Sequence, residues 1–164
     1  MPSWRIVTPE KVAVVGSSEG ADVEHVERFC REMYAYDPTI ILVSGGDKSH
    51  ELMSVDWRAE QTWLSLGGAV ISFRPKPLSP YDFEPVWGIE RWELGGEQPR
   101  VWSPAEDPHF ADRTSVCFYR NILIAEECDR LALFHKPGWS GGGGHTEGVA
   151  RDLGKPTHVY EKER

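Results

Sequence analysis

The stretch from Arg130 to Glu161 constrains this chain most: it reads RLALFHKPGWSGGGGHTEGVARDLGKPTHVYE. A short apolar run, Leu131-Ala132-Leu133-Phe134, leads into four consecutive glycines, Gly141, Gly142, Gly143 and Gly144. A helical pattern is expected to start at His145-Thr146-Glu147, and a second β-type run, Thr157 to Tyr160, follows Gly154-Lys155-Pro156. Strand, glycine turn, helix and strand form the layout of a βαβ unit, whose turn can hold an anion. Four glycines strip every Cβ from the turn, so a ligand can lie on the backbone N–H groups. The helix dipole adds about half a positive charge at the same place. That is the chemistry of a phosphate or carboxylate seat, with a simple flexible connection as the plainer alternative.

The rest of the chain repeats the theme. Lys11 to Val15 is a continuous apolar run, as expected of a strand covered on both faces, and ends at Gly16-Ser17-Ser18. Asp22 can cap a helix on which Val23, Val26, Phe29, Cys30 and Met33 recur, closed by Asp37-Pro38. Ile40 to Val43 reads as a second strand, ending in Ser44-Gly45-Gly46-Asp47. Leu52, Val55, Ala59, Trp63 and Leu66 then give a second helix, stopped by Gly67-Gly68, and Ala69 to Phe73 a third strand.

Residues 74–111 break the rhythm, holding seven of the twelve prolines with no clean period. They read as an irregular insertion over one sheet edge, with room for a short hairpin, Val86 to Leu94 then Arg100 to Trp102. Trp87, Trp92, Trp102 and Trp139 are expected in loops, where they either plug the core or stack on a partner. Beyond the insertion, Asp112 or Thr114 can cap a helix carrying Val116, Tyr119, Ile122 or Leu123, and Ala125 or Glu126. The expected architecture is therefore α/β: a Rossmann-like three-layer sandwich around a mostly parallel five-stranded sheet, one domain over residues 1–164. In such sheets ligands bind beyond the carboxyl ends of the strands. Three of the four such ends here are small and glycine-bearing.

A chain of 164 residues can bury roughly 70% of its unfolded surface. Its formal net charge of −8 gives no global attraction for nucleic acid or an anionic membrane. An anionic ligand must be held by local dipoles and a few placed arginines. Cys30, Cys117 and Cys128 are widely spaced and odd in number, so neither a metal site nor a disulfide framework is expected. With no signal-like or membrane-length apolar run, the expected setting is cytoplasmic.

Four pieces carry a family likeness: VAVVGSSEGAD at Val12–Asp22, VSGGDKSHELMSVDWRAE at Val43–Glu60, Arg120-Asn121, and GGGGHTEG followed by ARDLGKP. Together they resemble the SLOG superfamily of Rossmann-like nucleotide-binding proteins, which includes the cytokinin-activating phosphoribohydrolases and DNA-processing protein A. The resemblance spans most of the chain except residues 74–111. It implies a nucleotide held by the glycines and the arginine, with no metal and no further cofactor. Enzymatic members carry GGxGTxxE; here the glutamate, Glu147, falls one residue late. The C-terminal unit is similar also to nucleoside deoxyribosyltransferases, with the same offset.

The candidate ligand-binding residues are Gly16, Ser17, Gly45, Gly46, Arg120, Asn121, Gly141 to Gly144, His145 and Thr146. Arg120 can clamp a phosphate or form an ion pair with Glu126 or Glu127. Thr146 can reach the phosphate or cap its helix, and Glu147 suits a first helical turn whether or not it acts chemically. Glu147 and Asp56 are the candidate catalytic carboxylates. Asp47 is left as a helix cap. The expected function is binding of a nucleotide or nucleotide-derived small molecule. The alternatives are an N-glycosidic hydrolase or transferase acting on nucleoside monophosphates, and a protein-interaction module using the tryptophan-rich insertion. Homodimerisation is expected by analogy.

Overall fold

The structure is a computed structural model that describes residues 8–16, 21–46, 54–78, 86–96, 99–102, 108–135 and 141–161. Its elements in chain order are β1 (Lys11–Gly16), α1 (Val23–Tyr36), β2 (Ile41–Ser44), α2 (Val55–Ser65), β3 (Ala69–Pro77), β4 (Trp87–Leu94), β5 (Arg100–Trp102), α3 (Arg113–Glu127), β6 (Arg130–His135), α4 (Gly141–Asp152) and β7 (Thr157–Glu161). All seven strands join one sheet in the order β5-β4-β3-β2-β1-β6-β7. The five expected strands are its parallel part, and β4 and β5 extend it antiparallel to seven.

The strands pack on both faces because their apolar residues alternate between two cores. Val12, Val14, Leu42 and Val70 meet Val26, Cys30, Val55, Ala59 and Trp63 of α1 and α2. Ala13, Val15, Val43 and Ile71 meet Ile124 and Ala125 of α3 and Ala150 of α4. This gives the helix–sheet–helix sandwich. Asp22 caps α1 by accepting from His25 N at 3.1 Å, and Asp37 ends it. Asp112 caps α3 by accepting from Ser115 N at 2.7 Å. α2 is capped by Ser54, not by Asp47, which lies outside the described residues.

The insertion is more ordered than its composition suggests. β3 runs on to Pro77 and pairs with β4 through eight registered positions from Val70–Leu94 to Pro77–Trp87. β2 accompanies β3 only as far as Ser72, so beyond that point β3 has no strand partner on that side among the described residues. Leu78 N–H donates to Val86 O at 2.7 Å, which puts the even-numbered residues in hydrogen-bonded register with β4. The nitrogens of Pro75 and Pro77 then face the side β2 has left, where a missing N–H costs nothing. Trp87, Trp92 and Trp102 therefore sit in strands rather than loops. Arg91 ties the insertion to the sheet: it donates to Glu93 at 2.5 Å and to Glu127 at 2.6 Å, and Glu127 also receives Lys11 at 3.3 Å. Among the described residues no helix is long and apolar enough to cross a membrane.

Candidate functional site

The parallel order β3-β2-β1-β6-β7 reverses direction between β1 and β6, the switch point beyond whose carboxyl strand ends folds of this kind bind their ligands. Gly16 ends β1 there, in register with Phe134 of β6. A Cβ on Gly16 would fall 1.8 Å from the Phe134 carbonyl oxygen, so only glycine lets the two strand ends run this close.

One strand over, β2 ends in Gly45-Gly46, and side chains from α2, α3 and β3 converge on that turn. Arg120, on α3, donates from Nη1 to Gly45 O at 3.2 Å and from Nε to Asn121 Oδ1 at 3.1 Å. Asp56, in the first turn of α2, is buried on the same spot: a Cβ on Gly45 would lie 2.8 Å from Asp56 Oδ2 and 3.1 Å from Arg120 Nη1. Ser44 stitches turn to helix, accepting from Gly46 N at 3.1 Å and donating to Asp56 O at 3.4 Å.

Asn121 carries the connection onward to α4. Its Oδ1 is used by Arg120, so Nδ2 is the atom that meets His145 Nδ1 at 3.3 Å. An amide nitrogen can only donate, so a hydrogen bond here has His145 Nδ1 as its acceptor. The imidazole is also held edge-on to Phe118, ring centroids 4.7 Å apart. Arg120, Asn121 and His145 thus form a relay from the β2 turn to the first turns of α4. β2 and β6 are separated by two strand spacings, about 10 Å, which is the scale of a nucleoside phosphate.

Three expectations for α4 change. The helix begins at Gly141, so the four glycines are its first turn rather than a loop before it. Glycine costs about 1 kcal/mol per helical position, but the first-turn N–H groups have no partner inside the helix. Four residues without side chains therefore make up the first turn of α4. Thr146 does not cap the helix: it is its sixth residue and is buried. Glu147 lies in the second turn, hydrogen-bonded to Arg151 along the helix.

The structure thus brings together Gly45, Asp56, Arg120, Asn121 and His145, and leaves Glu147 engaged on its own helix. The ion pair of Arg120 with Glu126 or Glu127 does not form; Glu127 is occupied by Arg91 and Lys11. Ser17 lies outside the described residues. Arg74, on β3, was marked in the sequence only as a strand end, Arg74-Pro75, and not as a binding residue. It bonds Ser72 Oγ at 3.1 Å and Glu60 Oε2 at 2.9 Å, and its guanidinium lies 4.5 Å from the Trp92 ring centroid. Glu60 follows Asp56 by one helical turn, the only trace of this pairing in the sequence.

A groove of about 940 Å³ lies elsewhere, at the amino ends of β2 and β3, floored by Ile41, Ala69 and Ile71 and edged by Glu93, Leu94 and Arg100. It is at the end of β2 and β3 opposite to the Gly45–Gly46 turn.

No protein-family model and no curated protein matches the chain. Among solved structures, a molybdenum cofactor binding protein from the phototrophic bacterium Rippkaea orientalis is similar, with a TM-score of 0.58 and 15% identity over 96% of this chain and 79% of that one. At that identity the likeness shows a shared Rossmann-like α/β fold.

Proposed function

We propose that this protein binds a nucleotide or nucleotide-derived small molecule across the carboxyl edge of the sheet, as a SLOG-type domain. Phosphate is held by the first-turn amides of α4 and by Arg120, and the rest of the ligand extends toward Gly16. The observation that carries this reading is the relay itself: Arg120 is fixed to Gly45 O and, through Asn121, to His145, one residue after the four glycines. A guanidinium held in place on a half-buried edge gives up little freedom when it receives a phosphate bidentately. A structurally similar protein that binds the molybdenum cofactor supports small-molecule binding on this fold.

N-glycosidic hydrolysis is the second reading, favoured by one observation: Asp56 is buried beside Arg120. A carboxylate there can stabilise an oxocarbenium-like ribosyl centre while Arg120 holds the 5′-phosphate. Glu147, turned to Arg151, is the weaker candidate for that role.

A thermal-shift screen of nucleoside mono- and diphosphates tests the first reading. At one hundred times Kd the stabilisation is about 2.7 kcal/mol, and Arg120→Ala removes it. Nucleotide affinity that survives Arg120→Ala refutes the assignment. Chromatography of the same mixtures for free base separates turnover from binding, and Asp56→Asn abolishes turnover if Asp56 acts chemically.

A further inference from the structure

Two arginines, not one, close on the Gly45–Gly46 turn, and they come from opposite faces of the sheet. Arg120 reaches Gly45 from the α3 face. Arg74 reaches Gly46 from the α2 face: a Cβ on Gly46 would lie 2.8 Å from Arg74 Nε and 2.6 Å from Ser72 Oγ. Gly46 has φ of 61° and no side chain, so the second guanidinium packs directly against the backbone. Consecutive residues are about 3.8 Å apart at Cα, which limits the two guanidiniums to a separation of about 13 Å.

Each arginine is matched by an acid on α2, and those acids are one helical turn apart. Asp56 lies at Arg120's side of the turn and Glu60 under Arg74. Glu60 is fully buried, and its Oε2 takes Arg74 Nη2 while Oε1 makes no hydrogen bond among the described residues. A buried carboxylate with a single bonded partner depends on that partner for its charge to be tolerated. Trp92, paired with Ser72 across β3 and β4, closes the guanidinium from the other side. Arg74 is therefore locked by Ser72, Glu60 and Trp92, yet Nη1 is not used in any of these bonds and the side chain keeps 16% of its surface exposed. A purely structural ion pair needs no such placement at the turn that also anchors Arg120.

We propose that Arg74 is a second anion-binding side chain, and that the site takes a ligand with two anionic groups, of the diphosphate class. One group lies on Arg120 and the α4 amides, the other on Arg74 Nη1, which its printed bonds leave over, with Glu60 as the residue that positions the side chain. This rests on the nucleotide-binding reading above.

Calorimetry with inorganic phosphate and with pyrophosphate, at constant ionic strength, tests it without knowledge of the base. The wild-type protein binds pyrophosphate at least tenfold more tightly than phosphate. Arg74→Ala alone leaves Glu60 buried and unpaired and can fail to fold, so the informative variant is Arg74→Gln with Glu60→Gln, which removes both charges at similar volume. In that variant pyrophosphate affinity falls at least fivefold more than phosphate affinity does, while Arg120→Ala weakens both. A pyrophosphate-to-phosphate ratio unchanged from wild type, in a variant with native circular dichroism, overturns the role of Arg74 and leaves the phosphate seat standing. Failure of the wild-type protein to bind either anion overturns the seat and this inference together.

Discussion

Replacing Gly45 with alanine separates a binding role for the β2 turn from a packing role. The new methyl would stand 2.8 Å from Asp56 Oδ2, 3.0 Å from Arg120 Cδ and 3.1 Å from Arg120 Nη1. All three contacts are tighter than ordinary van der Waals distance, and all three are made by the far parts of long or terminal groups. The backbone need not move; the guanidinium and the carboxylate must. Arg120 then gives up its 3.2 Å bond to Gly45 O and drags the Asn121 link with it. The stability cost is small, about 1 kcal/mol, because Arg120 is half exposed and water replaces the lost bond. The binding cost is larger: losing one charge-assisted hydrogen bond to a phosphate is worth about 1.5–3 kcal/mol, or roughly 10- to 150-fold in Kd. Urea denaturation gives the first quantity, and calorimetry with the tightest nucleotide from the thermal-shift screen gives the second. Nucleotide affinity equal to wild type in a folded Gly45→Ala protein would show that ligand binds elsewhere. A collapse in stability of several kcal/mol would show that the turn is a packing element.

Three further outcomes are expected. Gly148→Ala, inside α4 with no atom within 4 Å of the new Cβ, raises stability by about 0.5–1 kcal/mol in urea; a loss would mean that the α4 helix is not as described. Burial pushes the Glu127 carboxyl up, but the hydrogen bond and charge of Arg91, with the charge of Lys11, bring it below its ordinary value. The Asp112 carboxyl is lowered by the backbone N–H and then the hydroxyl of Ser115. A depressed carboxyl stabilises the fold above its unfolded value, near pH 4, and that contribution disappears as pH falls through the lower folded value. Stability therefore drops below about pH 4, and Glu127→Gln flattens the drop; an unaltered acid limb in that variant contradicts the assignment. Burial, with the charge of Glu27, pushes the Cys30 thiol up to about 12, so iodoacetamide at neutral pH reaches it only in urea. Labelling of Cys30 in the native protein would show that α1 opens.

The sandwich was legible in the order of apolar runs and amphipathic segments, because a strand covered on both faces must be apolar along its length. Val12 to Val15 and Leu131 to Phe134 satisfy that condition in any context. The cap at Asp22, and Asp112 as one of two candidates with Thr114, were readable for a similarly local cause: each acts on an N–H three residues away. Arg120 and Asn121 were singled out, but not their partners. Nothing local says that Gly45 O lies 75 residues from the guanidinium it receives.

Two features needed the assembled molecule. The hairpin of β4 and β5 was foreseen at Val86 to Leu94 and Arg100 to Trp102, but the prolines of residues 74–77 seemed to deny a strand, and only the departure of β2 after Ser72 leaves β3 without a partner on that side among the described residues. Arg74 looked like the start of a loop for the same cause, and its meeting with Glu60 follows from the α2–β3 crossover. Period and capping are properties of neighbours along the chain, so the residue string specifies elements and their buried faces. Strand order and the side chains that share one strand end depend on contacts between distant segments, and these exist only once the sheet has closed.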